Sequence, residues 1–192
     1  MRSNEDKNNV LQQVIPHRMA ALEAMGHAVQ MRVDRRKGDD GSSTVILRTE
    51  IRGNANAVLN AWLEAGIMHG RALLEFLGLT YDRKTELLKA RDPKKKDTDW
   101  RISDFELPLV SPNDAKAIYQ GTPEEAERSL VSVMIFADRS IAHMTDMLDA
   151  EKFGSHHLRI ASDGIRALVV RFLYEPLGLP APESQFSRAK IE

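Results

Sequence analysis

From Pro16 onward the apolar positions Met19, Leu22, Val29 and Val33, with Gly26 among them, recur at steps of three and four. That period places them on one face of a helix, and Pro16 suits its first turn. The stretch 34–43 mixes charge with two glycines and two serines and reads as a solvated connection. A short β-branched run follows in 44–51, but no strand candidate of similar strength is available to pair with it, so it is expected to be a helical turn leading into the next segment. Over 54–77, Val58, Leu59, Trp62, Ala65, Gly66, His69, Leu73, Phe76 and Leu77 fall within roughly 120° of one another at helical spacing. They predict a core helix ended by Gly78.

The part from 81 to 121 is irregular. Leu87 and Leu88 suggest a helical turn there, Pro108 and Pro112 interrupt, and Ser111 is placed to cap a short helix. Thr122-Pro123-Glu124-Glu125 supplies a capping hydroxyl, a proline at the first helical position and a Glu three residues after the cap. The long helix it opens carries Leu130, Met134, Ala137, Ile141, Met144 and Leu148 to about residue 150. A last helix follows Gly154-Ser155, with Leu158, Ala161, Ile165, Leu168 and Phe172 on its apolar face. The pattern therefore predicts an all-α, single-domain bundle of about four main helices plus short ones over 16–178. Residues 1–15 are expected to be mostly disordered, and 179–192 to form a flexible tail.

Composition narrows the function classes. The 192 residues are 42% hydrophobic, enough for one real core. There is no Cys, which excludes a disulfide scaffold, Cys-based zinc sites and Cys nucleophiles. Lys plus Arg number 27 against 28 Asp plus Glu, so any site for a polyanion must be local rather than a property of the whole surface. Such a concentration exists at 83–96, where seven cationic side chains, Lys94, Lys95 and Lys96 among them, face two acidic ones. No apolar run approaches the roughly 18 residues of a membrane span, and the first residues lack the apolar stretch of a signal peptide. A cytoplasmic protein without a membrane partner is expected.

Candidate chemistry centres on Arg139, His143 and Asp146, which at helical spacing share an arc of roughly 60° opposite the apolar stripe of their helix. Arg offers a fixed positive fork for phosphate oxygens, and His titrates near neutrality and can move a proton at a hydroxyl; Asp146 is placed to orient the ring. Solvated charge on a helix surface is the ordinary alternative. However, Ile135, Phe136, Ala142 and Met147 flank the arc, which suggests an apolar counterpart such as a second subunit. His69 lies in the middle of its apolar stripe and is expected to be a hydrogen-bonded core histidine more than a catalytic one. Arg71 and Glu75, four apart, read as a surface pair, and His156-His157 as surface residues at a helix start. A His/Glu metal site has weak support, and neither a Gly-rich phosphate loop nor a nucleophile elbow is present, so neither a metal nor a cofactor is expected.

The spacing Asn60, Glu64, His69, Arg71, Leu73, Phe76, Leu77, followed by Ala142-His143-Met144-Thr145, resembles a group of bacterial all-helical proteins that are similar in character to the HEPN superfamily. That resemblance, over 16–176, implies a helical bundle that dimerises. It also implies a metal-independent endoribonuclease or RNA-binding role in a toxin or phage-defence system, with Arg139 as phosphate clamp and His143 as general base. His69, Arg71 and Lys94 to Lys96 would then be binding residues. Only three residues separate Arg139 from His143, shorter than the interval usual in that superfamily. The alternative is a non-catalytic helical module that binds a regulatory protein partner.

Overall fold

The computed structural model describes residues 2–35, 45–46, 50–51, 55–92, 99–138 and 154–184. The fold is all-α. Helices α1 (Asn4–Asn9) and α2 (Ile15–Arg35) are joined by a wider π-type turn, Val10–Val14, into one helical run. After a small strand pair, β1 (Val45–Ile46) and β2 (Glu50–Ile51), comes α3 (Ala55–Leu77). It is followed by the hairpin strands β3 (Leu79–Tyr81) and β4 (Leu88–Ala90), and then by the short helix α4 (Pro112–Lys116). Helices α5 (Pro123–Phe136) and α6 (Ser155–Val169) complete the bundle, with another π-type turn at Val170–Tyr174. Helix α2 packs on α3 and α6, and α5 packs on α3 and α6, so these four enclose the core.

Two glycines let α2 and α3 approach closely. A Cβ on Gly66 would stand 2.2 Å from Met25 Cβ and 2.9 Å from the Ala21 carbonyl oxygen. One on Gly70 would meet Leu22, Val133 and Ile165 at 3.1 to 3.4 Å, side chains of the other three core helices. The buried face of α3 holds Leu59, Gly66, Leu73, Phe76 and Leu77 of the expected stripe and adds Ile67, Gly70 and Leu74, so that its centre is shifted away from Ala65 and His69. Ala65 is exposed and His69 half-buried. Gly66 of that stripe and Gly70 outside it mark the contact line, because bare backbone is what permits the close approach.

The expected caps form. Ser111 Oγ accepts from the Asp114 N–H at 3.1 Å, and Thr122 Oγ1 from the Glu125 N–H at 3.2 Å with Pro123 in the first turn. Three local expectations are corrected. Residues 1–15 are not mostly disordered: Ser3 and Asp6 form a capping box that starts α1, and Val10 and Ile15 are buried in the core. In the 44–51 stretch the described residues are strand and not helix: Val45 pairs with Ile51 and Ile46 with Glu50, the partner strand lying within the segment itself. Leu88 is not in a helical turn but opens β4, antiparallel to β3. Its N–H is taken by the Glu127 carboxylate at 3.0 Å. In the tail, residues 179–184 lack helix and lie along the bundle, where Arg166 Nη2 donates to the Pro182 carbonyl at 3.1 Å. No helix among the described residues is long and apolar enough to cross a membrane.

Candidate functional site

The polar side of α3 carries Arg71 and Glu75 one turn apart, with Arg71 Nε donating to Glu75 Oε1 at 3.0 Å. The hairpin sets its own charges against this side. Its turn is fixed by Asp82, whose Oδ1 accepts from the Lys84 and Thr85 N–H groups at 2.9 and 3.1 Å. Those two bonds, reinforced by Lys89, pull the Asp82 pKa down to about 2. Beyond the end of α5, Asp138 closes the third side. The result is a cavity of about 490 Å³ lined by Arg71, Glu75, Thr80, Tyr81, Arg83, Lys89, Ala90, Arg91, Asp92, Met134 and Asp138.

Asp138 is the node of this cavity. It accepts from Tyr81 Oη at 3.1 Å and Arg83 Nη2 at 3.1 Å, and it pairs with Arg71 Nη1. Burial works against the charged form of Arg71, but the hydrogen bond and charge of Glu75 and the charge of Asp138 outweigh it and raise its pKa. Arg71 is therefore a permanent cation held from two sides. Lys89 pairs with Asp82 at 3.2 Å and Arg91 with Asp99 at 3.2 Å. Four cations and three carboxylates line the cavity, an arrangement suited to an anionic ligand that exchanges with the internal pairs.

Of the residues expected to bind, Arg71 lines this cavity and His69 does not. Arg18 Nη1 lies 3.1 Å from His69 Nδ1, and a guanidinium can only donate, so Nδ1 carries the lone pair and the ring is neutral. Burial, then the charges of Arg18 and His17, lower the His69 pKa. The histidine is thus hydrogen-bonded as expected, but at the edge of the core. Arg139, His143, Asp146 and Lys94 to Lys96 lie outside the described residues.

The apolar flank argued for a second subunit is corrected in part. Ile135 and Phe136 are 4% and 3% exposed and belong to the chain's own core, so α5 is buried all round near its end and these two residues require no partner. His157 is likewise more than a surface residue. Ser129 Oγ spends its one proton on the Glu125 carbonyl at 2.7 Å, so at 3.1 Å from His157 Nδ1 it accepts, and the imidazole donates. Exposed His156 pairs with Glu125 at 2.8 Å. Among the described residues no group of three or more His, Asp or Glu side chains is arranged to hold a metal ion.

Sequence reasoning missed Thr80, Tyr81 and Asp138 as members of a site. Arg71 and Asp138 are distant in sequence, and only the packing of α3 against α5 and the hairpin unites them. Neither a protein-family model, a curated protein nor a solved structure matches the chain.

Proposed function

We propose that this chain is a HEPN-like, cytoplasmic RNA-binding protein that grips the phosphate backbone at the cavity between α3, the β3–β4 hairpin and the end of α5. The observation that carries this reading is the convergence of Arg71, Arg83, Lys89 and Arg91 on one open cavity in a chain whose overall charge is −1. Tyr81 adds the hydroxyl that reaches Asp138, and phosphate and sugar oxygens are what such a donor takes. Arg139 follows the lining residue Asp138 directly in the chain. In the cleaving form of the proposal Arg139 clamps the scissile phosphate, His143 takes the 2′-hydroxyl proton and Asp146 orients His143. That chemistry uses no metal, and a homodimer would set two such sites side by side.

A second reading rests on a specific observation. Each of the four cavity cations already has a carboxylate partner in its own chain, as on a helical module whose charges fix its shape for a regulatory protein. Incubation of labelled single-stranded RNA with wild type and His143→Ala in EDTA, with binding followed at stepped salt, separates the possibilities. Cutting by the wild type alone, with the variant folded, establishes the nuclease. Salt-dependent binding without cutting establishes the RNA-binding protein, and the absence of both leaves the interaction module.

A further inference from the structure

We propose that Arg71, Tyr81 and Arg83 form an oxyanion-binding site, that Asp138 is the anion occupying it in the ligand-free protein, and that a phosphate group displaces Asp138 on binding. The idea rests on the RNA reading only for the source of the phosphate. Three donors from three different places, α3, β3 and the hairpin turn, converge on one carboxylate. A carboxylate and a phosphate make the same demand on such donors, planar guanidinium edges and a hydroxyl. An ion pair that served packing alone would need no adjoining space, whereas this one borders a cavity of about 490 Å³, within the size range of small-ligand sites.

The surroundings favour exchange. Glu75 holds Arg71 through Nε, so the guanidinium stays aimed when Asp138 gives up its Nη1. Arg83 is 78% exposed, against 12% for Asp138, so the arginine reorients toward an incoming ligand at little cost. Lys89, half-exposed and paired with Asp82 at 3.2 Å, adds a further positive charge to the cavity lining. Asp138 thereby sets the threshold for occupancy. Only a ligand that outcompetes a tethered carboxylate enters, which selects phosphate, able to accept from all three donors at once, over weaker anions.

The test titrates inorganic phosphate into the full-length protein by calorimetry, for wild type, Asp138→Asn and Arg83→Gln, with urea midpoints to verify folding. Asparagine keeps the shape and the acceptor oxygen but removes the competing charge. It should tighten phosphate binding about tenfold, and Arg83→Gln should weaken it by a similar factor. Phosphate binding by Asp138→Asn that is no tighter than wild type overturns the proposal. Should Asp138→Asn fail to fold, Arg83→Gln decides, and an unchanged phosphate affinity in it overturns the proposal. A parallel titration with a single-stranded RNA oligomer separates the sources. Tighter phosphate binding in Asp138→Asn without RNA binding by either protein upholds the oxyanion site and removes only the RNA reading.

Discussion

One helix, α3, serves two regions built on opposite physics. Toward the core it presents Gly66, where α2 leaves no room for a methyl group, and Gly70, where side chains of α2, α5 and α6 stand close. Toward the hairpin it presents Arg71 and Glu75, which meet other charges across a cavity. The first region gains from close packing and tolerates no added volume. The second consists of ion pairs at partly exposed positions, which contribute little to stability and remain available to a ligand. Stability and recognition are thus divided between two faces of the same element, and a substitution can touch one without the other.

The largest effect should come from the packed face. Gly66→Leu forces α2 and α3 apart and should cost about 3 kcal/mol or more, seen as a lowered urea midpoint and a loss of cooperativity. An intermediate loss is expected for Tyr174→Phe. Tyr174 Oη donates to the Leu11 carbonyl at 2.7 Å, and its removal should cost about 1 kcal/mol with no effect on phosphate binding. Burial raises the pKa of that phenol to about 12, so the contribution should persist through neutral and mildly alkaline pH.

A smaller effect links stability to pH. The folded-state pKa values of His69 and His157 both lie below 6.5, so the unfolded chain binds protons first as pH falls. Stability contributed by the neutral rings is complete above 6.5 and is lost as pH drops through the lowered values. His69 should dominate, because its protonation removes the lone pair that accepts from Arg18. His157 already donates from Nδ1 and keeps that bond. Urea midpoints between pH 7 and pH 5 should therefore fall less steeply in His69→Gln than in His157→Gln. At the far end of the scale Arg83→Gln, the variant that weakens phosphate binding, should leave stability within about 0.5 kcal/mol of wild type.

Much of the fold is legible along the chain because helices are local. The cap at Thr122-Pro123 and the apolar steps of α2, α5 and α6 announce themselves within a few residues. The strands are less legible: the β-branched run at Val45–Ile46 shows but its partner does not, and three-residue strands such as Leu79–Tyr81 are too short for an alternating pattern, their hairpin depending on the Asp82 turn. The N-terminal box of Ser3 and Asp6 was present in the sequence, but a run of polar residues around it concealed how deeply Val10 sits. For the candidate site, Arg71 and the basic stretch containing Arg83, Lys89 and Arg91 could be read. Asp138 could not, because its role exists only once residues from three separate elements are brought to it.

The bond from Tyr174 to the Leu11 carbonyl spans 163 positions of the chain. During translation at roughly 5 to 20 residues per second, the amino-terminal helix waits on the order of ten seconds or more for the residue that fastens it. Until then, apolar positions such as Val10 and Ile15 lack part of their final cover. That bond therefore closes only after Tyr174 has joined the chain, long after the helical run that it fastens.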